Sequence, residues 1–246
     1  MTDRKTELAA RLDRVEERIA AACAAAGRPR SDVTLIVVTK TFPASDVRLL
    51  AELGVRHVAE NRDQEAAPKA AECSDIPLTW HFVGQLQTNK VRSVVGYADM
   101  VHSVDRERLV GALSAAAVRA GRGLGCLVQV ALDAEPGEAG GRGEGVGDRG
   151  GVAPDGVPAL AGALAGAEGL TCAGVMTVAP LAGPYAGRPR AAFERLTEIS
   201  SRLRADHPTA TMVSAGMSAD LEDAVSAGAT HVRVGSAVLG VRPRLG

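Results

Sequence analysis

Apolar residues in this chain follow two rhythms. Over residues 3–26, Leu8, Leu12, Val15 and Ile19 recur every three or four positions among charged neighbours, and Gly27 follows. That period predicts an amphipathic helix and its stop. Beyond it, short and nearly continuous apolar stretches alternate with helical spacing. The stretches are VTLIVVTK (33–40), RHVAE (56–60), LTWHFVG (78–84), DMVHSV (99–104), LGCLVQVAL (124–132), LTCAGVMTV (170–178), ATMVSAG (210–216) and THVRVGS (230–236). Helical patterns fill 44–53, 62–73, 87–94, 106–120, 157–167, 189–206 and 218–227. Strands that are apolar on both faces and separated by helices belong to a parallel sheet covered on both sides. Eight such units in about 250 residues predict an α/β protein: a single (β/α)8 TIM barrel over 1–246 with an extra N-terminal helix. An open doubly wound sheet is the alternative, though it commonly has fewer strands.

Two segments interrupt the alternation. EPGEAGGRGEGVGDRGGVAPDG (135–156) is rich in glycine and poor in large apolar side chains, so burial offers little to offset the entropy of ordering it. It reads as a long mobile loop after the fifth strand. PLAGPYAGRPR (180–190) is a shorter loop after the sixth.

Composition narrows the function. The formal net charge of −1 gives no electrostatic case for nucleic acid or an anionic membrane. One Trp, two Tyr and three Phe are too few for base-stacking platforms. Cys23, Cys73, Cys126 and Cys172 are scattered, which suits neither a zinc site nor a disulfide framework and fits a reducing cytoplasm. The charged N-terminus does not read as a signal peptide. No apolar run approaches the roughly 18 residues that would span a bilayer.

In a barrel of this kind, chemistry gathers at the C-terminal ends of the strands. Polar residues fall there: Lys40 after strand one, Glu60 and Asn61 after strand two, His81, Gln85 and Asn89 at and beyond strand three, His102, Ser103 and Asp105 at strand four, Met176 and Thr177 at strand six, Ser214 and Gly216 at strand seven, and Arg233, Gly235 and Ser236 at strand eight. SAGMSAD (214–220) reads as a small-residue turn into a helix capped by Ser218. RVGSAVLG (233–240) offers turn amides at Gly235 and Ser236. Amides at turns and helix starts bind phosphate, and in these barrels a phosphate site commonly follows strands seven and eight. A lysine across the mouth from a phosphate cradle suggests pyridoxal 5′-phosphate (PLP), whose aldehyde takes a lysine amine and whose phosphate needs amides.

The chain resembles the pyridoxal phosphate homeostasis proteins, also called proline synthetase co-transcribed homologues, almost from end to end. The resemblance rests on VVTKTFP (37–43), AENRDQE (59–65), WHFVGQLQTNK (80–90), HSVDRERL (102–109), GVMTVAP (174–180) and SAGMSADLEDAVSAGATHVRVGSAVLG (214–240). It implies the alanine-racemase-like barrel of fold type III PLP proteins, with PLP on Lys40 as an internal aldimine. It also implies phosphate contacts from Ser214, Gly216, Gly235 and Ser236, Arg233 at the pyridine nitrogen, Asn61 along the other edge, Met176 near the ring and His81 in the floor. Three departures stand out: Gln85 where the family usually has Pro, Ala59 where it often has Gly, and a longer glycine-rich loop. Other roles suit some of these residues: Arg233 as ion-pair partner of Glu60, His81 and Met176 as core, and Asn61 as a helix cap.

Two functions of different class follow. One is a monomeric, cytoplasmic PLP carrier that serves vitamin B6 and amino-acid homeostasis, with PLP-dependent apo-enzymes as recipients. The other is an amino-acid racemase-like enzyme. An arginine at the ring nitrogen weakens the ring as an electron sink, although alanine racemases use one too. Two-base racemisation also needs an acid/base group opposite the lysine. Barrel racemases draw it from a C-terminal β-domain, for which residues after strand eight leave no room, and Tyr97 and Tyr185 are the only tyrosines. The carrier is the expected function. A barrel enzyme acting on sugar phosphates without PLP is a third class.

Overall fold

The computed structural model describes residues 3–133 and 150–240. The eight apolar stretches form eight parallel strands: β1 (Thr34–Val38), β2 (His57–Glu60), β3 (Thr79–Phe82), β4 (Met100–Val104), β5 (Leu124–Gln129), β6 (Leu170–Met176), β7 (Met212–Ser214) and β8 (His231–Val234). They pair in chain order and close, with Thr34 opposite His231 and Val37 opposite Val234 where β1 meets β8. The helices are α1 (Arg4–Ala25), α2 (Ala44–Glu52), α3 (Asp63–Glu72), α4 (Val91–Tyr97), α5 (Glu107–Ala120), α6 (Val157–Ala165), α7 (Pro189–Asp206), α8 (Leu221–Ser226) and α9 (Ser236–Leu239). The barrel and its N-terminal helix are as the periodicity predicts.

Helix α1 explains why a chain with so short an α9 can still cover its barrel. Among the described residues after β8, only the four of α9 are helical, too few to shield the wall between β8 and β1. The apolar stripe Leu8, Leu12, Val15 and Ile19 fills that place, packing in one cluster with Leu221, Val225, Val238, Leu239 and the outward Val37, Val232 and Val234. Polar ties fix its ends: Arg4 donates to Asp46 (2.6 Å) and to the Leu239 carbonyl (3.1 Å), and Arg18 donates to Glu222 (2.6 Å) and to the Ser218 carbonyl (3.0 Å). Helix α1 packs against α2, α8 and α9 as the missing eighth outer helix.

Strand alternation sends every second side chain inward. On β8, Val232 and Val234 face the outer layer while His231 and Arg233 face the interior; on β3, Trp80 and Phe82 point outward and His81 inward. The outer layer holds nearly all the large apolar side chains, and the barrel axis is unusually polar.

Residues 135–149 of the glycine-rich segment lie outside the described residues. Residues 150–156 carry local contacts within that segment. Val152 bridges Val130 in parallel, with amide bonds Val152 to Gln129 (2.8 Å) and Ala131 to Val152 (2.9 Å), and Pro154–Gly156 forms a single 3-10 turn. The four cysteines are free and buried. Among the described residues no helix is long and apolar enough to cross a membrane, and no cluster of His, Cys, Asp or Glu could hold a metal ion.

Candidate functional site

A cavity of about 270 Å³ opens at the C-terminal end of the barrel between the first and last strands. Val38, Lys40 and Phe42 line one side; Met217, Ser218, Ala219, Arg233, Gly235, Ser236 and Gly240 line the other. Lys40 and Arg233 are the titratable groups among these lining residues. The volume lies near the lower end of the usual range for small-molecule sites, roughly 300–1,000 Å³.

The strand-eight side is built from a turn. Gly235 has no Cβ, and one added there would come within 3.2 Å of the Val38 carbonyl, so a side chain would press the turn a few tenths of an ångström away from β1. The chain then enters α9, whose leading amides lack acceptors within their own short helix. Ser218, expected to cap α8, does not: α8 starts at Leu221, and the carboxylate of Asp220 accepts the Met217 amide (2.6 Å). Ser218 turns toward α9, where its hydroxyl accepts from Ser236 Oγ (3.2 Å) and the Ala237 amide (3.4 Å). Gly216 adopts φ 87° and its carbonyl accepts the Arg233 amide at 2.9 Å; it shapes the turn behind the cavity and does not line it.

Arg233 is buried and fixed by two acceptors: Nη1 donates to Ser214 Oγ (2.6 Å) and Nη2 to the Thr177 carbonyl (2.9 Å). Burial lowers its pKa to about 10, with Asp220 opposing the shift, and the group remains cationic at neutral pH. Glu60, the alternative ion-pair partner, is engaged elsewhere, with Lys69 and Thr39.

Ser214 is wholly buried and lies beneath the cavity rather than in its wall. From it a chain of imidazoles crosses the barrel. Ser214 Oγ meets His102 Nδ1 (3.0 Å), His102 Nε2 meets His81 Nδ1 (2.8 Å), and His81 Nε2 meets His57 Nδ1 (3.0 Å). Arg233 can only donate, so Ser214 Oγ accepts from it. A neutral imidazole carries hydrogen on one ring nitrogen, so the tautomers set the direction of the chain: with the Ser214 hydroxyl donating to His102 Nδ1, each imidazole carries hydrogen on Nε2 and donates to the next. Desolvation holds His81 and His102 well below the ordinary histidine pKa, and the neighbouring cation of Arg233 pushes His102 further down. His231, at the start of β8, falls to about 4, chiefly through burial. The imidazoles are neutral spacers.

The strand-one side is held by charge. Lys69, on the inner face of α3, donates to the Thr39 carbonyl (2.9 Å) and to Glu60 Oε1. Thr39 Oγ1 donates to the same carboxylate oxygen (2.6 Å). Burial raises the Glu60 pKa more than Lys69 lowers it, and Glu60 Oε2 has no hydrogen-bond partner. Just past Lys40, Thr41 adopts φ 69°, and its amide donates to Glu65 Oε2 at 3.1 Å.

Of the sequence-predicted site residues, the cavity therefore gathers Lys40, Arg233, Gly235 and Ser236. His81, Met176 and Ser214 lie in the interior, Gly216 supports the turn, and Asn61 stands half-buried at the end of β2 without lining the cavity. Asn61 does not cap α3, whose first turn follows Arg62. Tyr97 packs edge-on against Trp80 outside the barrel, and Tyr185 lies under the Arg188 guanidinium; neither lines the cavity. Sequence reasoning missed Lys69 and His57. Lys69 shares the helical face of Asp63, Ala66 and Ala70, and a charge on a buried face was the available signal.

The alanine racemase, N-terminal domain family model matches residues 10–243. The pyridoxal phosphate homeostasis protein of Mycobacterium tuberculosis is 41% identical, covering 98% of this chain and 95% of the relative. That of Pseudomonas aeruginosa is 37% identical over 96% of each. The structure of PipY from Synechococcus elongatus PCC7942 with PLP bound is 36% identical, with a TM-score of 0.74 over 92% of this chain and 100% of that one. By sequence and by fold, the chain belongs to the pyridoxal phosphate homeostasis protein family.

Proposed function

We propose that this protein binds pyridoxal 5′-phosphate covalently through Lys40 and acts as an intracellular carrier in vitamin B6 and amino-acid homeostasis, without turnover of its own. The observation that carries the reading is one cavity lined by Lys40 after strand one and by Arg233 and the Gly235–Ser236 turn of strand eight. The donor set fits the group: an amine for an aldehyde, turn amides with the Ser218 and Ser236 hydroxyls for a phosphate, and a fixed guanidinium for a ring nitrogen. Bound there, the cofactor supplies an aldehyde that captures amines and a ring able to withdraw electrons.

The protein's own residues limit what that ring does. Arg233 is a donor held by Ser214 and Thr177, so it offers a hydrogen bond to a ring nitrogen but takes no proton from it and does not favour its protonation. Among the described residues no carboxylate, tyrosine or histidine lines the cavity to serve as a second acid/base group. Ser214 and, through it, His102 and His81 act by fixing Arg233. Gly216 shapes the phosphate turn, while Met176 lies in the barrel interior and Asn61 at the end of β2, outside the cavity lining. Handover to PLP-dependent apo-enzymes, a monomeric state and a cytoplasmic location complete the proposal.

The test is to titrate PLP into wild type and Lys40→Ala while following absorbance, with racemisation of L-alanine and L-serine assayed in parallel. The reading predicts a borohydride-sensitive band in wild type alone and racemisation at the background rate. An equal band in Lys40→Ala would refute the linkage; substantial racemisation would refute the carrier.

A further inference from the structure

Lys40 sits between two backbone groups that α3 holds. On its N-terminal side the Thr39 carbonyl accepts from Lys69 Nζ (2.9 Å); on its C-terminal side the Thr41 amide donates to Glu65 Oε2 (3.1 Å). Residues 65 and 69 lie one helical turn apart, so a single helix face reaches both flanks of one residue. Between these anchors the backbone is strained. Thr41 is the one non-glycine residue with positive φ among the described residues, and a β-branched side chain is poorly suited to that region. Its hydroxyl is buried without a hydrogen-bond partner, as is Glu60 Oε2. Strain and orphaned polar atoms collected around one residue call for a compensating constraint, and the Glu60–Lys69–Thr39 network with Glu65 supplies it.

We propose that α3 is a positioning clamp for Lys40: Lys69 and Glu65, gripping the chain on either side, hold the strained Thr39–Thr41 turn that aims the amine into the cavity. This rests on the reading of Lys40 as the cofactor lysine. Glu60 acts one step further back, directing Lys69 at Thr39. Neither Lys69 nor Glu65 lines the cavity, so both act through the backbone and not by touching the ligand.

The clamp makes a prediction that needs no cofactor. In the unloaded full-length protein, amide hydrogen exchange over residues 39–43 should rise at least tenfold in Glu65→Ala and in Lys69→Met, while the strands β4–β6 keep wild-type protection. Glu65→Gln retains a side-chain oxygen for the Thr41 amide and should restore slow exchange, a rescue that general destabilisation would not give. With PLP added, borohydride fixation at Lys40 should slow at least fivefold in Glu65→Ala and recover in Glu65→Gln. Lys69→Met risks misfolding because it strands Glu60. Glu65 is partly exposed, so its variants carry the test alone if Lys69→Met does not fold. Wild-type exchange and labelling rates in Glu65→Ala would overturn the clamp. Failure of wild type itself to be labelled at Lys40 would instead overturn the cofactor reading, while the exchange experiment would still decide whether the clamp exists.

Discussion

The two walls of the cavity place a cation by different means. At strand eight, Arg233 rests on a neutral relay of Ser214, His102, His81 and His57, every contact lying between 2.6 and 3.0 Å. At strand one, the turn carrying Lys40 is gripped by a buried ion pair, Glu60–Lys69, and by the Glu65 carboxylate. The neutral relay runs along the barrel interior, where inward positions of neighbouring strands are stacked by the register. The ion pair lies outside the barrel wall, between β2 and α3. A rigid interior can afford dipoles alone, whereas a strained turn at the rim requires the stronger and costlier grip of charge.

The largest expected difference between the walls comes from cutting one partner in each. Lys69→Met leaves the Glu60 carboxylate buried alone and should destabilise the protein by about 3–5 kcal/mol in urea denaturation, much of it recovered in Lys69→Met/Glu60→Leu. Ser214→Ala removes an acceptor from Arg233 and a hydrogen-bond partner from His102, and should cost about 1–3 kcal/mol, the penalty for stranding buried polar groups. A Ser214→Ala cost equal to that of Lys69→Met would erase the contrast.

pH separates the walls by sign. The folded-state pKa values of His81, His102 and His231 lie below the unfolded value. Their contribution is complete above about pH 6.5 and is lost as pH falls, by up to about 1.4 kcal/mol per pH unit for each. Glu60 is shifted upward, so its contribution is complete at acid pH and is lost as pH rises through its folded-state pKa. Relative to His102→Asn, wild type should therefore gain stability between pH 5 and 7. Relative to Glu60→Gln, it should lose stability as pH rises above the ordinary carboxylate range. Parallel profiles for the two variants would show that the walls do not differ electrostatically. The smallest effect is expected from Thr41→Gly. Relief of the positive φ offsets the entropy that glycine adds to the unfolded chain, leaving stability within about 1 kcal/mol of wild type.

How much of this was legible in the sequence follows the same division. The strands, the outer helices and the mouth residues Lys40, Arg233, Gly235 and Ser236 were readable because each depends on local periodicity or on position at a strand end. The relay was not. His57, His81 and His102 are separated by more than twenty residues at each step, and only the register of a closed barrel stacks them. Ser218 looked like a cap because small polar residues before a helix usually are; the Asp220–Met217 contact moved the helix start and freed Ser218 to reach α9. Lys69 was hidden by its alanine-rich surroundings, and its inner-face position acquires meaning only once Glu60 and Thr39 are seen beside it. The role of α1 as the eighth outer helix depended on its packing against α2, α8 and α9, distant in sequence, which periodicity alone does not show.

The most direct test of the central claim uses a feature of the composition: the lysines are Lys5, Lys40, Lys69 and Lys90. The protein is loaded with PLP, reduced with borohydride and digested, and the modified peptides are identified by mass. The account predicts near-stoichiometric modification at Lys40, with Lys5, Lys69 and Lys90 essentially unlabelled. Label spread over Lys5 and Lys90, or a protein in which Lys40 remains unmodified, would contradict it.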